Sequence, residues 1–157
     1  MASMTAMSAH VAHSVSPMPV SDLMRSNVVT ASPESSIDSL AESMRDHGVG
    51  SVVIEDDSTV SGIVTDRDLV TRVMAENADW STLQASDVMT PDLQTVSADT
   101  GIAELVETLS EEGVRRMPVV ENDDLVGIVA LDDVFALLAV EQDRLANVVE
   151  AESPVFE

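Results

Sequence analysis

Gly62-Ile63-Val64-Thr65-Asp66-Arg67-Asp68 returns 65 residues later as Gly127-Ile128-Val129-Ala130-Leu131-Asp132-Asp133. The same offset carries Ser21-Asp22-Leu23-Met24 onto Ser86-Asp87-Val88-Met89 and Gly48-Val49 onto Gly113-Val114, with no gap between the anchors. A period above the solenoid range, present only twice, points to two similar units folded against each other rather than an extended array. Function is therefore expected at the junction of two pseudo-equivalent halves.

Each repeat reads as a short strand, a helix, two strands and a second helix. Ser32-Pro33-Glu34 is expected to open the first helix, with Ile37, Leu40, Ala41 and Met44 on its apolar face and Gly48 just past its end. His47 in its last turn suits the helix dipole. Ser51 to Glu55 and Val60 to Thr65 read as strands about an Asp56-Asp57-Ser58 turn. A second helix starts near Asp66 and carries Leu69, Val70, Val73 and Met74. In repeat two, Ile102, Leu105, Val106 and Leu109 line a helix ending at Gly113. Met117 to Glu121 and Leu125 to Ala130 form a hairpin around Asn122-Asp123-Asp124. A longer last helix has Val134, Leu137, Leu138, Leu145 and Val148 as its apolar side. The fold class is α/β with twofold pseudosymmetry. The expected division is a mobile tail over 1–19, motif one over 20–76, a linker over 77–84 with the only Trp, motif two over 85–150, and a tail over 151–157.

The charge narrows the setting. Acidic residues number 29 against 7 basic ones, a net charge of −22, and every basic residue is Arg. Acidic side chains spread along an apolar-patterned chain do not describe a disordered tail. Self-repulsion on this scale opposes compaction unless salt screens it. The expectation is a cytoplasmic protein of a salt-loving organism, a haloarchaeon. Non-specific binding to nucleic acid or anionic membrane is disfavoured. With no cysteine there is no disulfide, thiolate metal site or thiol nucleophile. No apolar run approaches the ~20 residues of a membrane span, and the first nineteen residues lack the blocks of a signal peptide. His10 and His13 in that tail are not expected to form a metal site.

The chemistry-bearing residues sit where the third strand becomes the second helix. Thr65 and Asp68 have the spacing of a capping box, which suffices as a structural explanation. A helix N-terminus is also an anion site, and a carboxylate beside it can grip the paired hydroxyls of a ribose. Gly50-Ser51 leave room for a flat ring. Their counterparts, Arg115 and Arg116, are adjacent cations in an anionic protein and natural phosphate ligands.

These motifs resemble a tandem pair of cystathionine-β-synthase (CBS) domains over about Val20 to Val140. The resemblance rests on the paired Asp-Leu-Met-type openings, Gly48-Val49-Gly50-Ser51 before a Val-rich strand, and Gly62 to Leu69. It implies two β-α-β-β-α repeats packed across a pseudo-twofold axis, with clefts that bind adenosine-containing ligands: AMP, ADP, ATP or S-adenosylmethionine. Carried over by position, Thr65 and Asp68 are the ribose pair with Val64 beside them, Val28 and Gly50-Ser51 surround the adenine, and Arg115, Arg116 and Arg67 reach phosphates. Asp133 is the acid of the second cleft, where Ala130 replaces the hydroxyl. The first cleft is thus expected to be the better one.

No catalytic constellation is evident, so an enzyme is not expected. The leading expectation is a homodimeric regulatory module that senses an adenine nucleotide and signals by rearrangement to a separate protein. The alternatives are a dimerising interaction module with vestigial clefts and a module responsive to divalent cations.

Overall fold

The computed structural model describes residues 18–152; the tail histidines His10 and His13 lie outside them. The first half runs β1 (Thr30–Ala31), α1 (Ile37–His47), β2 (Ser51–Asp56), β3 (Thr59–Thr65) and α2 (Asp66–Asp68), which continues as a π-helical stretch over Leu69–Met74. A 3-10 turn at Trp80–Thr82 leads to α3 (Ala85–Val88) and β4 (Thr90–Pro91). The second half is β5 (Val96–Ser97), α4 (Ile102–Glu112), β6 (Arg116–Glu121), β7 (Asp124–Ala130) and α5 (Leu131–Glu152). The sequence offset is thus a structural one. α4 repeats α1, β6 repeats β2 and β7 repeats β3, and the irregularity after Ile54 recurs after Val119.

Local chemistry explains the elements and some departures. α1 opens at Ile37 rather than at Ser32-Pro33-Glu34. The nearer Ser36 hydroxyl accepts the Ser39 N–H and caps the helix, while Ser32 to Ser35 form a turn of their own. Both hairpins close on two residues with positive φ, Asp57-Ser58 and Asn122-Asp123. That geometry matches the twist of the flanking strands and tolerates short polar side chains.

The two sheets have strand orders β1-β2-β3-β4 and β5-β6-β7, with β1 and β5 parallel to their neighbours and the other pairs antiparallel. β4 follows the first repeat yet pairs Thr90 with Ile63 of β3. By the same offset, Arg25 forms a bridge with Ile128 of β7. The entry segment of each repeat therefore crosses to the other repeat's sheet. The cores record this exchange: Val20 is fully buried with Leu105, Met117, Val119 and Val129. Ala85 and Val88 are buried with Leu40, Val52, Ile54 and Val64. Glycine makes room for the crossing. A Cβ on Gly62 would sit 2.6 Å from the Thr90 carbonyl oxygen, and one on Gly127 would sit 2.5 Å from Met24 Sδ.

The expected apolar faces of the second helices are only partly buried. After α2 the backbone widens, with the Ala75 N–H donating to the Val70 carbonyl five residues back, and Val73 alone is fully inside. Leu69 packs against the core, whereas Val70 and Met74 point out. In α5 only Val134 is buried and Leu137 is half-buried; Leu138 and every residue after it through Ala151 are exposed. Ala41 is exposed too.

Candidate functional site

Two clefts form where β3 and β7 hand over to the helices that follow them. The strand fits the helix start because Thr65 caps it. Its hydroxyl accepts the Asp68 N–H at 3.1 Å, and Asp68 Oδ2 accepts the Thr65 N–H at 2.8 Å. The box satisfies two helix-start donors and fixes the carboxylate at the mouth of the cleft. Asp68 Oδ1 accepts no hydrogen bond among the described residues; Arg72 Nε lies 3.6 Å from it. Arg72 is itself held by Nη1 donating to the Val88 and Met89 carbonyls at 2.8 and 3.1 Å. The exchanged segment thereby braces the acid from behind.

The first cleft, about 240 Å³, brings Thr65, Arg67 and Asp68 against Leu93 and against Arg115 and Arg116 of the other half. Its lining combines the carboxylates of Asp66 and Asp68 with three arginines, Arg67, Arg115 and Arg116. Such a space can hold a molecule with neighbouring hydroxyls at one end and negative charge at the other.

The second cleft, about 230 Å³, is its pseudo-symmetry mate and is lined by Gly50, Ser51, Arg116, Ala130, Asp133 and Arg25 among others. Asp133 Oδ2 accepts the Ala130 N–H at 3.2 Å, as Asp68 does from Thr65, but no side-chain hydroxyl answers it. Its Oδ1 accepts two bonds from Arg25, from Nε at 3.2 Å and Nη2 at 2.8 Å. Hydrogen bonding to Asp133, reinforced by its charge, raises the Arg25 guanidinium above its usual value. Arg116 is half-buried and lines both clefts, beside the Asp66 carboxylate at Gly50. Arg115 faces the first cleft and pairs with Asp132 of the second at 3.4 Å.

The sequence-predicted residues are therefore divided between two clefts. Thr65, Arg67, Asp68, Arg115 and Arg116 meet in one; Gly50, Ser51, Asp133 and again Arg116 meet in the other. Two expectations are corrected. Val64 has no exposed surface and belongs to the first core, because alternate residues of β3 face inward. Val28 lies in a separate depression with Asn27, Ser43 and His47, while Leu93 takes the corresponding position, one offset along, in the first cleft. Sequence reading missed Arg25, Arg72 and Leu93. A signal for the two arginines existed: with Arg72, five of the seven basic residues of this acidic chain gather around the clefts.

The CBS domain family matches this chain twice, over residues 20–75 and 85–140. A protein of Methanopyrus kandleri, MK0525, is 37% identical over 134 residues, which span 83% of this chain and 66% of that protein. A solved structure of Hypoxic Response Protein I with two coordinated zinc ions is 31% identical, with a TM-score of 0.67, covering 76% of this chain and 98% of that one. The CBS domain pair of protein MJ0100, in complex with 5′-methylthioadenosine and S-adenosyl-L-methionine, shares the fold at a TM-score of 0.72 and 24% identity, covering 80% and 98%. Repeat, fold and family match agree: this chain belongs to the CBS domain family and is a tandem CBS pair.

Proposed function

We propose that this protein is a regulatory module that binds an adenine nucleotide in the Thr65/Asp68 cleft and signals through the arrangement of its two halves. The observation that carries this reading is the cleft itself. It sets a carboxylate oxygen that accepts no hydrogen bond among the described residues, and could take ribose hydroxyls, beside Arg67, Arg115 and Arg116, in a chain of net charge −22. Cations so scarce and so concentrated fit a phosphate-bearing ligand better than a solvated surface does. The ligand would touch both halves at once, so binding favours whichever arrangement brings Arg115 and Arg116 towards α2. The adenosine ligands bound by the CBS pair of MJ0100 support the ligand class.

Copies of the chain would pair through exposed apolar residues of the second helices, Met74 in the first repeat and Phe135 and Leu138 in the second. Such a dimer would act on a separate protein in the cytoplasm, with residues 20–76 and 85–150 as its two motifs. The cation-responsive reading has no support from the described residues, where no three metal-ligating side chains of the His, Cys, Asp or Glu type converge.

The test is a thermal-shift series in molar KCl with AMP, ADP, ATP, S-adenosylmethionine, a guanine nucleotide and Mg²⁺. At a hundredfold its dissociation constant, the right ligand stabilises the fold by about 2.7 kcal/mol. A shift with an adenosine ligand is the expected result. Silence from every nucleotide would leave a dimerising module with vestigial clefts.

A further inference from the structure

We infer that Arg25 is a selectivity residue that closes the second cleft to nucleosides, so that each chain binds one nucleotide rather than two. The inference rests on the nucleotide reading of the first cleft. The two acids are matched in backbone setting: Asp68 accepts the Thr65 N–H through Oδ2, and Asp133 accepts the Ala130 N–H through Oδ2. What differs is the other oxygen. In the first cleft it accepts no hydrogen bond among the described residues, only an ion pair with Arg72 at 3.6 Å, and its lone pairs remain for the hydroxyls of a ribose. In the second its two lone pairs are taken by Nε and Nη2 of Arg25.

The exchange of entry segments creates this difference. The residue one offset along from Arg25 is Thr90, which lines the first cleft and is too short to cap an acid there. The acid of the first cleft has its cation, Arg72, on the following helix, with the guanidinium nitrogen nearest Oδ1 3.6 Å away. The position one offset along from Arg72 is Leu137. Each acid thus has one arginine beside it, both from the first repeat but from different elements. The cation from the helix pairs with Oδ1 at 3.6 Å without hydrogen-bonding it, and the cation from the entry segment donates two bonds to its counterpart. The two acids are equally confined, each side chain 14% exposed, so the difference lies in the two hydrogen bonds from Arg25, which a nucleoside would have to displace. Ala130 offers no hydroxyl in compensation.

The experiment is calorimetry with ADP on the full chain in molar KCl, for wild type, Asp68→Asn, Arg25→Thr and the Arg25→Thr/Asp68→Asn pair. Wild type is expected to bind one equivalent, which Asp68→Asn weakens. Arg25→Thr is expected to add a second equivalent that survives in the double variant. Affinity at that cleft should rise by roughly tenfold, the scale of a charge-assisted hydrogen bond no longer competing. Arg25→Gln, which keeps the chain length and loses the charge, checks the result should Arg25→Thr fold poorly.

Two equal equivalents in wild type would overturn the inference and leave the nucleotide reading intact. So would a single equivalent in both Arg25 variants. No ADP binding by any of the proteins would overturn both.

Discussion

Asp68 has two tasks that substitutions can separate. Asn at this position retains an oxygen for the Thr65 N–H while removing the charge. Asp68→Asn should therefore fold and should weaken ADP binding by about tenfold, read by calorimetry. Thr65→Ala removes the cap on the Asp68 N–H and should cost about 1 kcal/mol in chemical denaturation, whether or not nucleotide is present. Removing both side chains together mixes the two effects, because the pair that lines the proposed nucleotide cleft also starts the helix. Gly62 reports on the crossing instead. Gly62→Ala drives a Cβ against the Thr90 carbonyl at 2.6 Å, where backbone rather than a flexible side chain must move. A loss of about 1–3 kcal/mol is expected. Wild-type stability for Gly62→Ala would contradict the tight packing of β4 on β3. At this scale the sequence was informative where a residue's role is local. The Thr65–Asp68 pairing follows from spacing alone, whereas Val64 and Val28 were misplaced because adjacency in the chain does not say which face of a strand meets a cleft.

Helices differ in what holds them. α1 and α4 bury Leu40 and Leu105 almost completely, so Leu40→Ala and Leu105→Ala should each cost about 2–5 kcal/mol. α1 also depends on its first turn. Ser36 caps the helix by accepting the Ser39 N–H, and its nearby hydroxyl is the main cause holding the exposed Asp38 carboxyl below its usual 3.8. A carboxyl lowered in the folded state adds stability above its unfolded value and loses it as the pH falls through the folded one. The gap in melting temperature between wild type and Ser36→Ala should accordingly be full at neutral pH and shrink below about 3.8. A gap that stays constant through acid would remove the carboxyl from the account. α5 is the contrast. Its exposed apolar residues, Leu145 and Val148 among them, lie beyond the last residue it buries in the core, Val134, and periodicity alone does not say that the other described residues leave them uncovered. Amphipathic spacing marks a face that can be buried, and tertiary packing decides whether it is.

For the molecule as a whole, charge sets the conditions of folding. At −22, repulsion between carboxylates is long-ranged in dilute buffer and confined to a few ångströms in molar salt. The melting temperature should rise steadily from dilute buffer to molar KCl; an unchanged value would contradict the salt-loving reading. On the proposed reading, nucleotide phosphates would meet Arg67, Arg115 and Arg116 in the same medium, so affinity should fall over the range in which the fold gains stability.

The 65-residue repeat determined most of the architecture, because matched spacing of apolar residues, turn residues and caps makes two chain segments choose the same local structure. Every major element of the second half lies one offset along from its counterpart in the first. Only the tertiary structure decided that the entry segments cross, placing Val20 in the second core and Val88 in the first. Crossing is a property of how two units bury each other's open edges, and neither unit's sequence contains it. The same crossing brings Arg25 to Asp133, a contact across 108 residues, and so makes two clefts of common descent unequal. Local pattern wrote the elements twice; packing between the copies set which of the two matched carboxylates takes hydrogen bonds from an arginine.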